Sequence, residues 1–188
     1  MVTTQPSLST PRLLLEPLCL ADAEAIQRVF PQWEVVRFLS CQVPWPYPED
    51  GALSYLRDFA LPAMAAGRER HWSIRPRSER GRLIGLINLR EEPGNNRGFW
   101  LDPDWQGQGL ASEAAEAVTR YWFEVLGRPL MRVPKAAANL ASRRISERSG
   151  MRLVATEERD YVSGRLTTEV WEQTREEWLQ HQGRAPDH

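Results

Sequence analysis

Cysteine and histidine are scarce in this chain of 188 residues: Cys19 and Cys41 stand far apart, and the histidines are three, His71, His181 and His188. Two scattered cysteines make neither a disulfide framework nor a metal set, so a reducing compartment is expected, and the histidines are too few and too dispersed for a zinc site. No basic segment followed by an apolar core opens the chain, and no apolar run is long enough to cross a bilayer. A soluble, cytoplasmic protein with no membrane partner is the expectation. Excess charge of one sign is missing as well. The formal net charge is −1 and no basic run is interleaved with aromatics, so nucleic acid is not an expected ligand. Internal repeats are absent. What is there, 41% apolar and 26% charged residues, suits one domain with a substantial core. The domain reads as residues 11–182, after a loose, Ser/Thr-rich lead-in at 1–10 and before a frayed end at 183–188.

Residues 12–17 read as a strand ended by Pro17, and Asp22 caps a short helix through residue 30. A second helical piece, about 33–39, runs into Pro44-Trp45-Pro46-Tyr47-Pro48, where three prolines in five residues exclude a helix interior or a central strand. This loop displays Trp45 and Tyr47, either to cap the core or to face a substrate. Helical spacing returns over 49–67 and Gly67 ends it. Residues 71–75 and 82–89 form a hairpin around a polar turn at 77–81, and a second turn at 91–97 feeds a strand at 98–101. The helix beginning at 110 carries Leu110, Ala114, Ala117, Val118, Tyr121, Trp122 and Val125 on one side. A strand at 130–133 follows, then a helix capped by Asn139, strands at 151–156 and 166–171, and a helix opened by the capping box Thr174-Arg175-Glu176-Glu177.

Between strand 98–101 and its helix lies Gln106-Gly107-Gln108-Gly109-Leu110-Ala111. Two glycines at a helix N-terminus leave backbone N–H groups with neither side-chain cover nor intrahelical partners, and the helix dipole there favours an anion. On local grounds the stretch is either a phosphate cradle or a plain tight turn. A nucleoside-triphosphate site is disfavoured, because no Lys-Ser or Lys-Thr pair follows the glycines.

The order of elements, together with this motif, resembles the GNAT N-acetyltransferase superfamily, whose cofactor signature is Gln or Arg, two variable residues, Gly, one variable residue, then Gly or Ala. More of the chain is similar to one branch, the RimJ/RimL-like enzymes that acetylate ribosomal-protein N-termini. Pro11-Arg12-Leu13-Leu14-Leu15, Pro44-Trp45-Pro46-Tyr47, Arg82-Leu83-Ile84-Gly85, Phe99-Trp100-Leu101-Asp102-Pro103, Asn139-Leu140-Ala141-Ser142, Ser149-Gly150-Met151 and Thr174-Arg175-Glu176-Glu177-Trp178 carry that similarity. The resemblance implies an α/β (α+β) GNAT fold. Its mixed central sheet has about seven strands, an antiparallel N-terminal meander, helices on both faces and a splay between the fourth and fifth strands. It implies acetyl-CoA as co-substrate and a primary amine as acceptor, on a protein N-terminus or a small molecule, with direct transfer in a ternary complex. The oligomeric form is expected to be a monomer or a homodimer.

Carried over residue by residue, the resemblance assigns cofactor contacts to Leu101, Gln106, Gly107, Gln108, Gly109, Leu110, Ala111, Asn139 and Ser142. The glycine turn would hold the pyrophosphate, Leu101 and Asn139 the pantetheine arm, and Ser142 would hydrogen-bond the leaving thiolate. Pro134, which cannot donate to a ladder, is consistent with the splay. Two departures stand out: Asn96 occupies the place of the usual basic glutamate, and Ser146 that of a tyrosine acid. Asn96 could at most orient a water. Substitute bases are Glu91, Glu92, Glu169 and His71, each with a plainer reading as a surface charge or a structural histidine. Without a strong base, an α-amine with a pKa of about 8 is easier to acetylate than a lysine at about 10.4. Trp33, Trp45, Tyr47 and Trp72 are expected to line the acceptor cleft with Asn96. The alternative to a working enzyme is a catalytically weakened acyl-CoA-binding module.

Overall fold

A computed structural model describes residues 5–183. The strands are β1 (Leu8–Ser9), β2 (Leu13–Pro17), β3 (Glu69–Pro76), β4 (Gly85–Arg90), β5 (Arg97–Leu101), β6 (Leu130–Ala136), β7 (Arg152–Tyr161) and β8 (Gly164–Thr174). The helices are α1 (Ala23–Val29), α2 (Trp33–Val36), α3 (Gly51–Tyr55), α4 (Leu61–Ala65), α5 (Leu110–Arg120), α6 (Leu140–Arg148) and α7 (Arg175–His181). A π-helical turn, Leu56–Ala60, joins α3 to α4, so the helix expected over 49–67 is one rod with a bulge. A similar turn, Tyr121–Val125, ends α5.

Strands β1 to β5 form one antiparallel sheet in chain order, and β6, β8 and β7 form a second. Alternation along the strands decides what each face buries. Leu13, Leu15, Trp72, Ile74, Ile87, Leu89, Leu101, Met131 and Val133 pack with α5, α6 and α7. On the other face Leu86, with Trp100 against it, packs with α1, α2, α3 and Tyr47. The mixed α/β architecture with helices on both faces is therefore present.

Three features differ from the sequence reading. Residues 1–4 and 184–188 lie outside the described residues, but 5–10 are not loose. Leu8 and Ser9 pair with Leu15 and Leu14, Gln5 donates to the His71 carbonyl, and Thr10 Oγ1 donates to Glu113 at 2.5 Å. That adds β1 to the expected seven strands. The β7/β8 hairpin also extends well beyond 151–156 and 166–171. Nearly every residue of β7 is exposed, so its polar second half shows no apolar alternation to read. Finally, β6 runs through Pro134 to Ala136, with Pro134 opposite Val170.

The meeting of the two sheets explains how Pro134 is tolerated. Asn96 N–H donates to the Arg132 carbonyl at 2.8 Å, and Arg132 N–H donates to Asn96 Oδ1 at 2.7 Å. Ala137 donates to Thr167 of β8, and the ladder's alternation then turns the main chain of Pro134, like that of Arg132, to the edge facing β5. Proline has no N–H to offer there. The seam closes at Arg132 and opens beyond it, the splay expected between the fourth and fifth strands, here β5 and β6.

Candidate active site

At the mouth of this opening sits the glycine turn. Gly107 and Gly109 have φ of +74° and +80°, a conformation that L side chains rarely adopt, which is why glycine stands at both positions. No side chain caps α5, and its first intrahelical bond from beyond the turn is Glu113 N–H to the Gly109 carbonyl. The amides at the start of the helix are thus left for an anion. Leu110 is buried and anchors the helix, and Ala111 packs against the same core. The four residues before them, Gln106 to Gly109, are exposed, so an anion can reach the turn from solvent.

Around the turn, three side chains act as braces. Gln106 donates to the Leu101 carbonyl at 2.9 Å, tying the loop to the strand end, and Gln108 reaches the Asp104 carbonyl at 3.4 Å. Arg12 spans from the first sheet, with Nη1 on the Gln108 carbonyl at 2.9 Å and Nε on Glu113 at 2.7 Å. Burial pushes the Glu113 carboxyl up, but the hydrogen bonds from Thr10 and Arg12 win and hold it below the usual range. Arg12 places a cation beside the anion cradle, a contact that no local motif announces.

Along the opening, alternation in the β4/β5 ladder turns the main chain of Phe99 and Leu101 away from β4 and towards the gap. Gln106 takes the Leu101 carbonyl, leaving the Leu101 N–H on that edge. Across the gap Asn139 caps α6, its Oδ1 accepting from Ser142 N–H at 3.2 Å. The cap uses only the oxygen, so the amide NH2 remains for another acceptor. Ser142 is buried one turn in, and its carbonyl accepts from Lys135 of β6. The glycine turn therefore follows the open edge of β5, and α6, with Asn139 at its cap and Ser142 in its first turn, follows the open edge of β6.

Other expected site residues fall elsewhere. Trp72 is 0% exposed and sits in the core on the α5 face, edge-on to Tyr121, with Nε1 donating to the Pro6 carbonyl. Strand alternation puts it on the opposite side of the sheet from Trp33 and Trp45, so it does not line a cleft with them. Those two are each 42% exposed and lie with ring centroids 5.8 Å apart. Tyr47 packs edge-on to Phe30 at 4.9 Å, and burial pushes its hydroxyl up to about 12. Asn96 is not free to orient a water: Nδ2 donates to the Arg90 and Glu92 carbonyls while Oδ1 holds the Arg132 amide. It is the clasp of the two sheets.

Of the substitute bases, His71 is buried with Nε2 2.6 Å from Glu69, whose carboxyl this hydrogen bond holds low. Glu91 is paired with Arg70 and Arg128. Glu169 is not the solvated charge expected of it. It is buried, 2.8 Å from Arg143 and 3.1 Å from Trp171 Nε1.

Lys135, the sole lysine of the chain, escapes a reading of the sequence alone. It is 5% exposed and donates to the Ser142 carbonyl at 2.9 Å and to Ser146 Oγ. Its inward direction is available from the alternation Met131, Val133, Lys135. Burial holds its ammonium well below the usual lysine value, and the nearby Arg97 charge adds to that.

Residues 12–152 match the Acetyltransferase (GNAT) domain family. The chain is 28% identical to an FsC-acetyl coenzyme A-N(2)-transacetylase of Aspergillus fumigatus, over 96% of this chain and 81% of that protein. Its fold is similar to RimL, an alpha-N-protein acetyltransferase solved with coenzyme A, with a TM-score of 0.77 at 14% identity, covering 90% of this chain and 98% of that one. It is also similar to the ribosomal-protein-S5-alanine acetyltransferase of Vibrio fischeri, with a TM-score of 0.77 at 12% identity, covering 93% and 99%. At these identities the two structures speak for the fold, while the family match spans most of the chain. This protein belongs to the GNAT acetyltransferase family, whose acyl donor is acetyl-CoA.

Proposed function

We propose that the chain transfers the acetyl group of acetyl-CoA directly to a primary amine of the α-amino kind, on a peptide N-terminus or an amino-acid-like small molecule. The observation that carries this is the uncapped N-terminus of α5, with two left-handed glycines, at the mouth of the β5/β6 opening. The main-chain amides of Gly107, Gly109, Leu110 and Ala111 hold the pyrophosphate. Gln106 and Gln108 brace the turn, the Leu101 edge and Asn139 align the pantetheine arm, and Ser142 donates to the departing sulfur. Fixing donor and acceptor side by side supplies the acceleration.

The acceptor class follows from what surrounds the opening. Asn96 is no base, and the carboxylates of Glu69, Glu91 and Glu169 are all engaged by cations or hydrogen bonds. An amine that is partly neutral at pH 7 suits such a site, and an α-amine is one. The names of two relatives point the same way, one an N(2)-transacetylase and one an alpha-N-protein acetyltransferase. The exposed pair Trp33 and Trp45 offers faces to a cationic amine. The test is acetyl-CoA turnover on peptide N-termini, amino acids, polyamines and aminoglycosides. Activity concentrated on α-amines is expected. Turnover confined to polyamines or aminoglycosides overturns the acceptor class, and acetyl-CoA binding without any acetylated product favours a binding module.

A further inference from the structure

Two basic side chains are buried on the two strands that border the opening, and neither has an ion-pair partner among the described residues. Arg97 of β5 is 2% exposed. Its Nη1 donates to Thr119 Oγ1 at 2.6 Å, while Nε and Nη2 are buried and meet no hydrogen-bond partner among the described residues. Lys135 of β6 donates to neutral acceptors, the Ser142 carbonyl and the Ser146 hydroxyl. Both project to the α5 and α6 face of the sheet, since Arg97 reaches Thr119 of α5 and Lys135 reaches α6. Glu169 of β8 lies opposite Lys135 in the ladder, but Arg143 and Trp171 hold its carboxylate, and Glu147 is exposed. Burying two basic groups on neighbouring strands without an ion-pair partner is costly. The arrangement makes sense if an anion forms between them.

We infer that Arg97 and Lys135 receive the coenzyme A thiolate that leaves when the thioester is broken. This rests on the acetyl-transfer reading, which puts the sulfur beside Ser142, the residue whose carbonyl Lys135 holds. As the amine nitrogen bonds to the acetyl carbon, the C–S bond breaks and its electron pair goes to sulfur. The proton lost by nitrogen passes to solvent, while the sulfur is held by the Arg97 guanidinium and the Lys135 amine, whose ammonium form burial and Arg97 disfavour and Glu169 and Glu147 favour. A thiolate alongside reverses that balance, so lysine and sulfur titrate as a coupled pair. The sulfur then takes up a proton from solvent and free coenzyme A leaves. Lys135 bonds the hydroxyl of Ser146, the residue that stands where the tyrosine acid would be.

Coenzyme A itself is the probe. Its thiolate is followed by ultraviolet absorbance against pH, free and bound to the intact protein, and binding is measured by calorimetry in buffers of different ionisation heats. The bound thiol is expected to titrate about one unit or more below the free one. Lys135→Met is expected to raise the bound thiol's midpoint by about one unit and Arg97→Met to raise it as well. A bound thiol that titrates with the free one overturns the inference on the wild-type protein alone, whether or not the variants fold. A lowered midpoint that survives in both folded variants also overturns it. Failure of coenzyme A to bind at all removes the cofactor site itself, a different result from binding with an unshifted thiol.

Discussion

Gly109→Val perturbs the proposed cradle at one dihedral angle. At φ +80° an added Cβ meets only the flexible end of Arg12, Nη2 at 3.4 Å, so the cost is conformational and not a clash. A left-handed non-glycine residue costs about 1–2 kcal/mol. The turn either keeps its shape under that strain or relaxes to negative φ and swings its amides away from the anion. Losing one hydrogen bond to a charged group costs about 1.5–3 kcal/mol. Since about 1.4 kcal/mol is tenfold, acetyl-CoA affinity is expected to fall roughly 10- to 100-fold. Gly127→Val supplies the control, because Gly127 has φ +63° and nothing within 4 Å of its added Cβ, but follows the far end of the helix that Gly109 begins. It carries the same conformational penalty at the wrong end. Both variants are expected to lose roughly 2–8 °C in melting temperature, and only Gly109→Val to lose affinity by calorimetry. Equal acetyl-CoA affinities in the two variants would refute the cradle.

The aromatic residues separate in the same manner. Trp33→Ala with Trp45→Ala is expected to raise the acceptor KM about two- to fivefold while leaving acetyl-CoA affinity unchanged, whereas Trp72→Ala is expected to destabilise the core by about 3–5 kcal/mol. An unchanged KM in the double variant removes that pair from the acceptor cleft. For Asn96, the Asn96→Asp substitution sets a carboxylate against the Arg90 and Glu92 carbonyls. A lower melting temperature and no gain in turnover are expected, and faster acetylation at neutral pH would show that position 96 is a base site after all.

Much of the site is legible in local pattern, because its physics is local. Positive φ at Gly107 and Gly109, the uncapped start of α5, the Asn139 cap and the Thr174–Glu177 capping box each depend on a few consecutive residues. The apolar side of α5 and the alternation of β3 and β4 are equally local. Sequence misleads where a side chain's partner lies far along the chain. Trp72 reads as a cleft residue, yet register puts it on the α5 face. Asn96 reads as a substituted base, yet its amide joins β5 to β6. Glu169 reads as a solvated charge, although β8 carries it to Arg143 of α6.

By itself, then, the sequence determined the elements, their order, the glycine turn and the family, since periodicity, caps and backbone preference act over one or two turns. Only the tertiary structure decided that Pro134 opens the seam which Asn96 and Arg132 close, that Arg12 flanks the cradle, and that Arg97 and Lys135 are both buried on the face covered by α5 and α6. Those pairings arise from strand register and from helices docking across the sheet. Burial then leaves two ordinary basic residues without an ion-pair partner among the described residues.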